Sequence, residues 1–78
     1  MPTLFTIFGI RFFFYSDEHE PIHIHITHGG KVAKIEVEPE IRLVYNHGIS
    51  PQTLKKAFHT VETYKDEIIK EWHKYFNK

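Results

Sequence analysis

The chain has 78 residues, no cysteine, and ten basic against ten acidic side chains, so its formal net charge is zero when histidine is neutral. This length predicts a single domain over residues 1–78 with a small core, and the absence of cysteine excludes disulfides and thiolate metal ligands. The balanced charge provides no global attraction to nucleic acid. Because the chain shows no leader-like start and no long apolar run, we expect a cytoplasmic protein without a membrane partner.

The first half of the chain predicts four short β-strands joined by turns. In the first strand, β-branched and aromatic residues favour extended backbone, and Gly9 marks a bulge or bend. In the second strand, strict alternation places three isoleucines on one face and His23 and His25 on the other. The four segments are FTIFGIRFFFYS (5–16), IHIHIT (22–27), KVAKIEVE (31–38) and IRLVY (41–45).

The second half predicts one long helix from about residue 51 to residue 76. Ser50 followed by Pro51 is a typical helix start, because the hydroxyl can cap the helix and proline fits its first position. Apolar residues then recur at helical spacing along one stripe. About 26 residues at about 1.5 Å each would reach about 40 Å, so the helix should overhang so small a sheet. The stripe consists of Leu54, Phe58, Val61, Ile68, Trp72 and Phe76.

These elements predict an α+β domain of the ββββα kind, a four-stranded antiparallel meander packed on one long C-terminal helix. The isoleucine face of the second strand should meet the helix stripe, which leaves His23 and His25 on the open side of the sheet. The segment Phe12–Tyr15 carries aromatic bulk on both faces of its strand, and a single helix can cover only one of them. We therefore expect this strand to contact a partner, either a second copy in a homodimer or another protein.

Four of the seven histidines, His19, His23, His25 and His28, lie within ten residues of one another, and they suggest a metal site. His23 and His25 are two residues apart on one strand face, so their side chains stand parallel and can share one Zn²⁺ ion if a third ligand joins them. We take His19 as the third zinc ligand. The other donors nearby are Asp17, Glu18, His28 and His47.

The same imidazoles also suit acid–base chemistry without a metal, because free imidazole titrates at about pH 6.5. RNA cleavage needs a base for the 2′-hydroxyl, an acid for the leaving oxygen and a cation for the charged phosphorus centre. The catalytic candidates are His19, His23, His25 and Arg42, with Lys34 or Arg11 as alternative cations and Tyr15 or Tyr45 as stacking surfaces for an exposed base.

A third hypothesis assigns no chemistry to the histidines. His23 and His25 would then be the solvated face of an amphipathic strand, and the protein would be a non-catalytic dimeric interaction or regulatory module that depends on its aromatic residues. Solvated faces more often carry Thr, Lys, Glu or Arg, so two histidines in succession are unusual there. We expect His59 and His73 at the helix surface and His47 in a turn.

The segment FGIRFFFYSDEHEPIHIH, with the MPT before it and the GG after it, resembles the bacterial family known as domain of unknown function 4160. The closing segment VETYKDEIIKEWHKYF, with its late Trp72, resembles the last helix of that family. The family motif of Asp, His, a proline pair and His-x-His is matched here by Asp17, His19, Pro21, His23 and His25, and Ile22 replaces the second proline.

The resemblance implies a small component of a two-protein module of the toxin–antitoxin type. The chain would then have a toxin-like role, a small antitoxin-like protein as its cognate partner, and RNA as its target. The leading hypothesis is therefore an RNA-cleaving protein with a histidine cluster, and zinc binding and a non-catalytic module are the alternatives.

Overall fold

The structure, a computed structural model, describes residues 3–15 and 19–76. Within these residues it is an α+β arrangement, an antiparallel sheet of five strands followed by two helices. The strands pair in chain order as a meander. The elements are β1 (Thr3–Ile7), β2 (Ile10–Phe13), β3 (His23–His28), β4 (Lys31–Glu36), β5 (Arg42–His47), α1 (Pro51–Thr63) and α2 (Lys65–Phe76).

The predicted first strand is in fact a hairpin. The chain reverses at Phe8 and Gly9, both of which have positive φ angles, of 57° and 72°. Ile7 then pairs with Ile10, so β1 and β2 lie side by side. Gly9 therefore marks a tight turn, and the described sheet has five strands where the sequence predicted four.

The predicted single helix is divided between Thr63 and Lys65. The hydroxyls of Thr60 and Thr63 donate to the carbonyls of Lys56 and His59 at 2.8 and 2.9 Å, a contact that bends helices. A straight helix over the whole segment would be about 39 Å long. The longest dimension of the molecule is 33 Å, and buried residues of both helices belong to the core against the sheet. Among the described residues, neither helix has the length and apolar character needed to cross a bilayer.

The core lies between the two helices and one face of the sheet. Ile24 and Ile26 are fully buried there, in one cluster with Val61 and Ile68 of the helices. This confirms the prediction that the isoleucine face of the strand meets the helical stripe. His23 and His25 alternate with these isoleucines and lie on the opposite face.

The face opposite the core is covered at its centre, although the sequence predicted an open face. Phe13 is 2% exposed, and the Arg11 guanidinium lies 4.5 Å from the centroid of its ring. In the segment Phe12–Tyr15 only Tyr15 is exposed. The expectation that the chain itself can cover only one face of this strand is therefore wrong. Contact with a partner through this strand stays a prediction. Its buried rings do not favour such a contact, and neither does its position between β1 and β3 inside the sheet.

Candidate functional site

The β3–β4 hairpin sets the geometry of the site. Its turn pairs His28 with Lys31, which places His25 opposite Lys34 and His23 opposite Glu36. The neighbouring strands extend these pairs into two rows across the face opposite the core. The first row is Phe13, His25, Lys34 and Tyr45, and the second is His23, Glu36 and Arg42.

A cavity of about 300 Å³ lies over these two rows. This volume is at the lower end of the range for small-molecule sites, about 300–1,000 Å³. A bulge in β5 breaks the register between Lys34 and Ile35, so the consecutive residues Val44 and Tyr45 both line the cavity. The complete lining is His19, Glu20, Pro21, His23, His25, Lys34, Glu36, Arg42, Val44 and Tyr45.

His25 lies in a box of aromatic rings. The Phe13 ring is stacked on it with centroids 5.7 Å apart, and the Tyr15 ring meets it edge to face at 4.4 Å. The His23 ring lies 5.1 Å away, at 87° to the His25 ring. With such neighbours on three sides, the His25 side chain has little room to change rotamer, so its imidazole is held in one orientation next to Lys34.

His23 is anchored by the backbone. Its Nδ1 lies 2.8 Å from the carbonyl oxygen of Pro21. Because a carbonyl oxygen only accepts hydrogen bonds, Nδ1 carries a proton in this contact. The other nitrogen, Nε2, is buried, and the ring meets Trp72 of α2 at 5.2 Å. His23 is therefore placed to hold His25 in position, and Trp72 connects the pair to the helical layer.

The charges of the cavity are arranged in a way that the sequence did not predict. The Nη2 of Arg42 donates to the Oε2 of Glu36 at 3.1 Å, and the two side chains are 54% and 10% exposed. The carboxylate of Glu36 therefore offsets much of the Arg42 charge. Lys34 is half-buried and directly opposite His25, which makes it the cation closest in register to the imidazole pair.

The structure brings all four predicted catalytic residues to this cavity, which is lined by His19, His23, His25 and Arg42. His19 is exposed at the rim, whereas His23 and His25 are 5% and 6% exposed and form the floor. The burial of the pair means that they are not the solvated face of a strand.

Other candidates lie elsewhere. Arg11, His28 and His47 do not line the cavity. His59 and His73 are exposed on α1 and α2, as predicted. Asp17 and Glu18, considered as metal donors, lie outside the described residues.

Zinc binding was predicted to use the imidazoles of His19, His23 and His25. These side chains share the cavity, but within residues 3–15 and 19–76 no group of three or more His, Asp or Glu side chains is arranged to hold a metal ion.

Two residues of the site, Glu36 and Trp72, were not predicted from the sequence. A two-residue turn at Gly29–Gly30 fixes the cross-strand partners of both histidines, so the hairpin pattern alone contained the signal for Glu36. No local signal points to Trp72, which reaches His23 from a distant element.

Comparison with protein families gave one match that covers most of the chain. A family model described as Domain of unknown function (DUF4160) matches residues 9–73. The matched range includes the complete lining of the histidine cavity. Searches of curated proteins and of solved structures found no match.

Proposed function

The chain belongs to the DUF4160 family. From the geometry of its histidine cavity we propose that it cleaves cytoplasmic RNA, and from the family resemblance that it does so as the toxin-like component of a two-protein module. One observation carries this proposal. A cavity of about 300 Å³ places three imidazoles beside a lysine and an exposed tyrosine. General acid–base cleavage of a phosphodiester needs these groups, a proton acceptor, a proton donor, a cation and a surface for a base.

The proposed reaction is an internal transfer of the phosphoryl group. His25 takes the proton of the 2′-hydroxyl, and the 2′-oxygen forms a bond to phosphorus. The bond from phosphorus to the 5′-oxygen then breaks, and His19 at the rim gives a proton to that leaving oxygen. The products are a 2′,3′-cyclic phosphate and a 5′-hydroxyl, so atoms and protons balance without a further reactant.

The remaining cavity residues stabilise the developing negative charge, bind a base of the RNA and orient the His25 ring. Lys34, opposite His25, lies where a cation stabilises the charge that develops on the phosphoryl oxygens. Tyr45 is 36% exposed at the bulge and gives an unstacked base a ring to stack on. His23, held by the Pro21 carbonyl, keeps the His25 ring in place.

The test is cleavage of a labelled single-stranded RNA by the purified protein and by the variant His25→Phe. Phenylalanine keeps an aromatic ring inside the box but cannot exchange a proton, so the fold should persist while the cleavage rate falls by about 10²–10⁴-fold. His59→Ala removes an exposed imidazole outside the cavity and serves as the matched control. It should cleave at the wild-type rate.

One modified RNA substrate, and the addition of EDTA followed by Zn²⁺, distinguish the alternative hypotheses. An RNA with 2′-O-methyl groups at every position should resist cleavage, because it lacks the attacking hydroxyl. Cleavage should continue in EDTA; activity that EDTA abolishes and Zn²⁺ restores would favour the zinc hypothesis instead. A wild-type protein that leaves RNA intact, or a His25→Phe variant that cleaves at the wild-type rate, would refute the proposed chemistry.

A further inference from the structure

A second cavity, of about 650 Å³, lies between the edge strand β1 and helix α2. It shares no lining residue with the histidine cavity. Aromatic rings form much of its wall, from Phe5 on β1 and from Tyr64 and Tyr75 on the helical side. Tyr64 is 41% and Tyr75 50% exposed, so these rings border an open groove.

The edge of β1 borders this groove. In the described sheet β1 pairs with β2 only, so its other edge presents backbone N–H and C=O groups to any further strand. Thr3, Leu4 and Phe5 of β1 line the groove. An extended segment that pairs with this edge would direct every second side chain toward α2.

The groove is acidic. Glu67 and Glu71 both line it, and their spacing of four residues places them on one face of α2. No lysine, arginine or histidine is among the described residues that line the groove. A second copy that paired through β1 about a twofold axis would bring the two acidic helix faces toward each other, and like charges disfavour that arrangement. The charge of the groove instead complements a basic segment.

We propose that the groove between β1 and α2 is a docking site for an extended segment of a partner protein that carries lysine or arginine at alternate positions. The segment adds to the sheet beside β1. Its basic side chains meet Glu67 and Glu71, and their aliphatic parts lie along Tyr64 and Tyr75. The surface is separate from the histidine cavity, so this proposal does not depend on RNA cleavage.

The first test measures binding of fluorescein-labelled peptides by fluorescence anisotropy. A short peptide of alternating valine and lysine should bind, and the peptide with glutamate in place of lysine should not. The double variant Glu67→Gln/Glu71→Gln should bind the lysine peptide about fivefold more weakly, since each exposed ion pair contributes little. Glu62→Gln, at an exposed position of α1 outside the groove, is the matched control and should bind like the wild type.

The second test asks whether the peptide pairs as a strand. N-methylation of alternate amides removes the donors along one edge of the peptide and leaves the other edge intact. Strand addition predicts that only one of the two alternately methylated lysine peptides binds. Equal binding of both would overturn the strand geometry.

Three results would overturn the docking site itself. They are no binding of the lysine peptide, equal binding of the glutamate peptide, and wild-type affinity of the double glutamine variant. Sedimentation equilibrium tests whether a second copy of the chain occupies the groove instead. A dimer that the lysine peptide dissociates would assign the groove to that second copy. The RNA-cleavage assay on the double variant should stay at the wild-type rate, which keeps the two proposals separable.

Discussion

Glu36 and Arg42 form an ion pair whose two ends differ in exposure, and this asymmetry leads to a prediction. In Arg42→Ala the carboxylate of Glu36, 10% exposed, loses its partner, so we expect a loss of about 1–3 kcal/mol in the free energy of unfolding. In Glu36→Gln the guanidinium of Arg42, 54% exposed, stays hydrated, so we expect a loss below about 1 kcal/mol. Urea denaturation of both variants measures the difference. Equal losses would show that burial of the carboxylate has no role.

Phe13 supports the floor of the histidine cavity. It is 2% exposed and its ring stacks on His25. Phe13→Ala should therefore lower the free energy of unfolding by about 3–5 kcal/mol, and the matched variant Phe8→Ala, at a position 62% exposed, by well under half of that. Urea denaturation tests both. A Phe13→Ala protein with wild-type stability but a changed oligomeric state would support the earlier expectation of a partner-binding strand.

The Gly29–Gly30 turn is the element that sets the register of the site, and it also gives a prediction. The φ angles are 59° and 78°, as in the two-residue turn that favours Asn-Gly, and an added Cβ would meet nothing within 4 Å at either position. Gly29→Asn should then raise the free energy of unfolding by up to about 1 kcal/mol, whereas Gly30→Ala should lower it by about 1–2 kcal/mol. Thermal melts of the wild type and both variants measure these changes in stability. A Gly30→Ala variant more stable than the wild type would contradict the assigned turn.

The elements that the sequence predicted well are those with a strict pattern. The alternation in IHIHIT assigns the two faces of β3 correctly, and Ser50–Pro51 marks the start of α1. The β1–β2 hairpin was missed because Phe8, a bulky residue, adopts a positive φ that such residues rarely show. The break between the helices was missed because the apolar stripe resumes in phase beyond it, with Ile68 seven residues after Val61.

The sequence predicted which histidines form the site, but it did not predict that the histidine pair is buried. Strand alternation and the His-x-His motif pointed to His23 and His25, and His19 and Arg42 also line their cavity. The burial of the pair could not be predicted, because it depends on contacts with three other parts of the chain. Tyr15 follows β2, Pro21 precedes β3, and Trp72 lies near the end of α2.

At the scale of the whole molecule, Trp72 joins the parts that must fold together. It is the only tryptophan and is fully buried, and its ring contacts Phe14 after β2, His23 on β3 and Phe76 on α2. Since one core cluster contains residues of the sheet and of both helices, we expect unfolding in a single cooperative step.

That expectation is tested by following urea unfolding with tryptophan fluorescence and with far-ultraviolet circular dichroism on the same samples. The two transitions should coincide in midpoint and slope, because loss of the helical signal and exposure of the Trp72 ring are then one event. A fluorescence transition at lower urea than the dichroism transition would mean that α2 leaves the sheet first. The histidine pair would then lose its Trp72 contact before the rest of the sheet unfolds. In that case the RNA-cleavage rate should fall at the same urea concentration as the fluorescence signal, before the helical dichroism signal is lost.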